Sequence, residues 1–241
     1  MLVHFRRIRS HTTCTYGRSI RIINGVIFRM VRRAVLDFAA FLAISSAGVA
    51  ADETVIVAFG DSLSAGYGLE EVDSFPLQLE RALVAHGLNA RVINAGVSGD
   101  TTAGGRARLA WSMPPDANLV ILELGANDGL RGIDPAETEA NLDAMLRELG
   151  TRDTKVLFTG MRAPPNLGRE YGDSFNGMYA RLAQKHNVAL YPFFLEGVAA
   201  EAELNQADGI HPNAAGVARI VDRITPYVLE ELGRLGPSSS K

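Results

Sequence analysis

The sequence predicts an α/β fold, a parallel sheet with helices on both faces, and three observations lead there. Short β-branched apolar runs recur along the chain, such as VIVAF at 55–59 and NLVILEL at 118–124, and read as strands buried on both sides. Longer stretches with apolar residues at helical spacing stand between them. No two predicted strands lie close enough for a hairpin, so each crossover returns the chain to pair in parallel.

Taken in order, the first strand at 55–59 stops at Gly60-Asp61-Ser62, where a helix or a tight helical turn begins. A helix follows over 74–86, with Phe75, Leu79, Ala82 and Leu83 on one face and Gly87 just past its end. The second strand, 91–95, runs into the small-residue loop 95–102, and the third, 118–124, ends at Gly125-Ala126-Asn127-Asp128. Asp134-Pro135 opens the next helix as N-cap and first residue, with Leu142, Met145, Leu146 and Leu149 at i, i+3, i+4 and i+7. Residues 155–160 form a fourth strand. A loop rich in Pro, Gly and Asn runs to about Gly172, and a helix then carries Phe175, Met178, Tyr179 and Leu182 on one face. A fifth strand covers 188–191, and a last helix spans 212–232, where Pro226 is expected to kink or break it. One domain thus covers 52–236, followed by a disordered tail at 237–241.

Residues 1–51 lie apart from this pattern. Met30 and Arg32-Arg33, the apolar run 38–44 and the small residues 47–51 have the order of a signal peptide at about 30–51. The run is too short for a comfortable membrane span, so no stable span is expected after cleavage. The Arg-rich stretch 1–29 reads as an extension upstream of the true start at Met30. This arrangement implies a periplasmic or secreted protein. Residues 1–50 hold eight Arg against Asp37, a net +7, which leaves −10 for 51–241 in a chain of net −3. An acidic body with no basic stripe argues against a nucleic-acid partner. The single cysteine, Cys14, lies in the leader, so the body has no thiol nucleophile and no cysteine metal site.

Ser62 stands at the carboxyl end of a predicted parallel strand and beside a helix amino terminus, where open α/β sheets place ligands. It reads there either as an exposed nucleophile or as a helix N-cap. A nucleophilic serine needs a base, and the body offers three histidines. His86 and His186 each close a predicted helix, a setting that suits interaction with the helix dipole. His211 lies in Asp208-Gly209-Ile210-His211-Pro212-Asn213. A carboxylate three residues earlier can fix its tautomer, or can simply cap the turn. Ser62, Gly99 and Asn127 follow three successive strands and so fall on one sheet edge. Their two backbone N–H groups and one side-chain amide could form a three-donor oxyanion hole, although Gly99 and Asn127 also suit ordinary turns.

In order and spacing, GDSLSAGYGL, NAGVSGDTT, ELGANDGLRG and DGIHPN resemble the blocks of the GDSL (SGNH) serine hydrolases, over nearly all of 53–232. They look most like its bacterial periplasmic multifunctional members, which combine acyl-CoA thioesterase, arylesterase and lysophospholipase activity. The resemblance implies a flavodoxin-like three-layer α/β/α sandwich on a five-stranded parallel sheet. It also implies a carboxylic ester hydrolase with catalytic Ser62, Asp208 and His211, oxyanion donors Ser62, Gly99 and Asn127, no metal and no cofactor. The expected substrate is a small-molecule ester or thioester. Ala126 stands where such relatives often carry glycine, a departure that removes no catalytic atom. A carbohydrate-ester deacetylase is the alternative on the same blocks, and an acyl- or lipid-binding protein is a weaker one. No motif of an α/β-hydrolase elbow, a nucleotide-binding loop or a metal phosphoesterase is present.

Overall fold

A computed structural model describes residues 53–233, so the leader at 1–51 and the tail at 237–241 lie outside the described residues. Five parallel strands form one sheet: β1 (Thr54–Gly60), β2 (Ala90–Gly96), β3 (Leu119–Glu123), β4 (Lys155–Thr159) and β5 (Ala189–Tyr191), in the order β2-β1-β3-β4-β5. The helices are α1 (Ser62–Ala65), α2 (Phe75–Ala85), α3 (Thr102–Ser112), α4 (Ala126–Leu130), α5 (Pro135–Leu149), α6 (Arg169–His186) and α7 (Ala214–Glu231). Helices α2 and α7 pack together on one face, and α3, α5 and α6 on the other, which gives the predicted three layers. The strands read as continuous apolar runs because both faces are covered: Ile56, Val57, Phe59, Val120, Ile121, Leu122, Leu157 and Phe158 are all buried.

This order reverses direction between β1 and β3, and the crevice outside that switch point is where such sheets bind ligands. Register sets the alignment there: Gly60 pairs with both Gly96 and Glu123, so β1, β2 and β3 end level and their following loops emerge side by side.

Three elements differ from the sequence reading. Helix α3 falls in a stretch where no helix is predicted, because its buried face is Thr102, Gly105, Arg108 and Leu109, of which only the last is apolar. Helix α6 starts at Arg169, before Gly172, and the loop ahead of it holds a 3₁₀ turn at Pro165–Leu167. Helix α7 begins at Ala214, with the Asn213 side chain accepting from Gly216 N–H, and it continues through Pro226. The proline lies on the exposed side, as does Asp222, whose carbonyl it leaves without an intrahelical donor.

Arg108 repays the unusual face of α3. Its guanidinium donates to the Asp100 carboxylate (2.6 Å), the Ala95 carbonyl (2.7 Å) and the Gly60 carbonyl (2.8 Å), and it lies 4.0 Å over the Phe59 ring. The end of β1, the end of β2 and the loop after β2 are thereby tied to one buried cation. Removing one partner of a buried ion pair leaves the other charge uncompensated. Arg108→Met should therefore lower the unfolding free energy by about 3–5 kcal/mol in urea titrations. A variant as stable as the parent would show that this pair does not constrain the fold.

Candidate active site

The turn after β1 is built by Asp61. Its carboxylate accepts from Leu63 N–H at 3.0 Å and so caps α1, which leaves Ser62 as the first helical residue with its hydroxyl uncommitted to capping. Ser62 is more enclosed than the sequence reading expected, at 8% exposure. Its Oγ lies 3.0 Å from Nε2 of His211, 149 residues further along the chain.

His211 sits in a loop pinned at its base by an antiparallel bridge between Asn205 and Pro212. Asp208 performs both tasks that the sequence left open. One carboxylate oxygen accepts from the N–H groups of Ile210 (2.9 Å) and His211 (3.0 Å), and the other lies 2.7 Å from His211 Nδ1. The His211 N–H, the imidazole and the Ile210 N–H lower the Asp208 carboxyl to about 2, so it is an ionised acceptor at neutral pH. An acceptor at Nδ1 requires the proton there, and Nε2 is left with a lone pair facing the Ser62 hydroxyl.

The loop after β2 is a turn closed by Asp100 N–H on the Val97 carbonyl at 3.0 Å. Gly99, its third residue, has φ +83°, which side-chain-bearing residues rarely adopt. Arg131 donates to the Gly99 carbonyl at 2.8 Å. Among the described residues, neither Ser62 N–H nor Gly99 N–H has a hydrogen-bond acceptor. In the loop after β3, the Asn127 amide donates one N–H to Asp61 at 3.0 Å and keeps the second free. Asp128 beside it is buried and accepts from Thr102 N–H (2.9 Å) and Thr102 Oγ1 (2.5 Å), which joins this loop to the start of α3.

Two buried acids underlie the turn. Burial pushes the Asp61 carboxyl up to about 6, against the lowering effect of Leu63 N–H, the Asn127 amide and His211. Glu123, fully buried at the end of β3, is raised well above the usual carboxylate range by burial and then by Asp61. Its Oε2 accepts from Ser64 Oγ (2.8 Å) and Asp61 N–H (3.2 Å), while Oε1 has no partner among the described residues.

The structure therefore brings Ser62, Asp208 and His211 into one hydrogen-bonded line and sets Gly99 and Asn127 on the same sheet edge. His86 and His186 stay at helix ends, and His186 lies 2.6 Å from Asp143. Sequence reasoning did not single out Asp61 as the partner of Asn127, nor Arg108, Asp128 and Glu123 as supports. The Gly-Asp-Ser order carried a signal for the first, whereas the others act on groups far away in sequence.

Comparison with known proteins bears on the family. The model of the GDSL-like lipase/acylhydrolase family matches residues 58–219. Esterase TesA of Pseudomonas aeruginosa is 42% identical over 178 residues, covering 73% of this chain and 88% of that protein. The thioesterase 1/protease 1/lysophospholipase L1 of Escherichia coli K12 is 37% identical over 196 residues, covering 81% and 92%. Among solved structures, the SGNH-hydrolase family esterase AlinE4 superposes with a TM-score of 0.63 at 51% identity, covering 75% of this chain and 97% of that one. With a family model spanning most of the chain and relatives this similar along their own length, the chain belongs to the GDSL-like lipase/acylhydrolase family of ester hydrolases.

Proposed function

We propose that the protein is a serine esterase in which Ser62 is the nucleophile, His211 the general base and Asp208 the group that orients it. The observation that carries this reading is the line Ser62 Oγ to His211 Nε2 to Asp208, at 3.0 Å and 2.7 Å. Nε2 takes the hydroxyl proton as Oγ attacks the ester carbonyl carbon. The carbonyl oxygen becomes an oxyanion held by Ser62 N–H, Gly99 N–H and the free N–H of Asn127, each donor worth about 3–4 kcal/mol in the transition state. The imidazolium then protonates the departing alcohol or thiol, leaving an acyl-serine. Water attacks the acyl-serine in turn with His211 as base, and the acid leaves with Ser62 restored.

Acyl esters and thioesters share the carbonyl that this apparatus addresses. Val97, Leu130 and Ile210 stand around half exposed within a few residues of Gly99, Asn127 and His211, and they offer apolar contact to an acyl chain. A body of net −10 offers little to the phosphates of coenzyme A, so small esters and lysolipids suit it better than acyl-CoA. No helix among the described residues is long and apolar enough to cross a membrane. We place the hydrolase domain at 52–236 behind a cleaved leader and the mature protein in the periplasm.

Ser62→Ala and His211→Ala should each remove nearly all turnover, and the double variant should lose hardly more, because the members of one catalytic unit are not additive. An alkylphosphonate should label Ser62 alone, as read by peptide mass; a label on another serine would overturn the assignment.

Activity on p-nitrophenyl esters from acetyl to palmitoyl should persist in EDTA. It should rise with chain length by up to ~0.8 kcal/mol per buried methylene until the apolar contact is exhausted. Loss in EDTA would exclude this mechanism, and a strict preference for acetylated sugars would make the protein a carbohydrate-ester deacetylase.

Intact mass of the exported protein should correspond to a start at Ala51 or Asp52. A mature form that retains residues 38–44 would be an anchored protein instead.

A further inference from the structure

Nucleophile and base come from opposite ends of the domain, yet proton transfer needs the distance between them held to a few tenths of an ångström. Covalent continuity does nothing for that distance, because 149 residues separate Ser62 from His211. A route of hydrogen bonds does connect them. Tyr67 N–H donates to the Ser62 carbonyl at 3.1 Å. The Tyr67 carbonyl accepts from the Gln206 amide Nε2 at 2.7 Å, and the same nitrogen donates its second hydrogen to the Pro212 carbonyl at 3.0 Å. Gln206 N–H in turn donates to the His211 carbonyl at 2.7 Å. One primary amide thus bridges the backbone that carries the nucleophile and the backbone that carries the base, with both of its hydrogens used.

Two further features belong to this bridge. Gly68 has φ +74°, and a Cβ there would lie 2.3 Å from Gln206 Oε1, so the chain keeps this position bare where the amide passes. The Tyr67 ring, half exposed, rests against the His211 imidazole with centroids 4.5 Å apart and planes at 39°. An aromatic ring in that place restricts the imidazole's rotation and attracts it once it becomes a cation.

We infer that Gln206 and Tyr67 are positioning residues that act through His211, clasping the base loop against the nucleophile turn. The inference rests on the triad assignment proposed above. Because Asp208 and His211 share one loop, loosening the clasp moves them together: the Asp208–Nδ1 bond survives while the Nε2–Oγ distance opens. The loss then falls on the chemical step rather than on substrate binding.

The test compares Gln206→Ala, His211→Ala and their double variant on p-nitrophenyl butyrate, with kcat and KM separated and folding followed by thermal melting. Gln206→Ala should lower kcat by about 10- to 100-fold, the cost of misplacing a catalytic group by roughly 1 Å, with KM within about twofold. In the His211→Ala background the same substitution should change the residual kcat by less than about twofold, since its route of action is already gone. Full activity in Gln206→Ala, a loss in KM alone, or an undiminished loss in the His211→Ala background would overturn the inference. If Gln206→Ala does not fold, the Tyr67 pair decides. Tyr67→Leu should lower kcat and Tyr67→Phe, which keeps the ring, should restore it; equal rates in the two variants would overturn the inference. A fully active His211→Ala enzyme would instead overturn the triad itself, while an inactive one beside a fully active Gln206→Ala would remove only the clasp.

Discussion

The Gly60 carbonyl that ends β1 accepts from Val97 N–H at 3.0 Å and still has a second lone pair to offer. Arg108 uses it, and with the same side chain donates to Ala95 and Asp100, all from the buried face of α3. The cation is itself compensated by the Asp100 carboxylate, so the desolvation of each helps justify the other. Because Gly60 precedes the turn of Ser62 and Asp100 follows Gly99, the same guanidinium ties together the two loops that carry these residues. Thr102 and Asp128 extend this constraint to the loop after β3 that carries Asn127. Three loops after three strands are thereby one rigid floor, whose geometry is set by the sheet register beneath it.

The loop of the proposed base, His211, is attached differently. It is anchored by the Asn205–Pro212 bridge and by the cap that Asp208 supplies, and it reaches the floor chiefly through side chains. Preorganisation is therefore divided in two. On the proposed assignment the oxyanion donors are placed by the strand ends and one buried ion pair, whereas the proton acceptor is placed by polar contacts nearer the surface. A family that keeps its floor constant and varies its rim can change substrates without rebuilding the charge-stabilising part.

Strands, layers and the meeting of the candidate site residues were legible because each rests on local chemistry: uninterrupted apolar runs for β1 and β3, and short blocks in which Ser62, Gly99, Asn127, Asp208 and His211 lie beside small or turn-forming neighbours. What stayed hidden depends on distant partners. Helix α3 has an arginine and a glycine where periodicity demands apolar residues, and it makes sense only once Arg108 is seen to meet Gly60 and Ala95. Pro226 suggested a break because nothing local tells that its side of α7 faces water. Glu123 lies within the apolar run 118–124, where nothing local reveals its partners: it is buried against Ser64 and Asp61, about 60 residues away in sequence.

Laying the turn that carries Ser62 on the buried acids Asp61 and Glu123 couples the fold to pH. An aspartate at its ordinary value of 3.8 is ionised in the unfolded chain well before Asp61 is in the folded one, where burial has moved it to about 6. Over that interval the folded protein holds a proton that the unfolded chain has released, so stability is fully present on the acid side and is lost as pH rises through about 6. The loss is on the order of 3 kcal/mol for Asp61, and Glu123 adds to it with the same sign. Asp143 and Asp208, each lowered to about 2 by its hydrogen-bond partners, act with the opposite sign: what they contribute is present above 3.8 and is lost as pH falls toward 2.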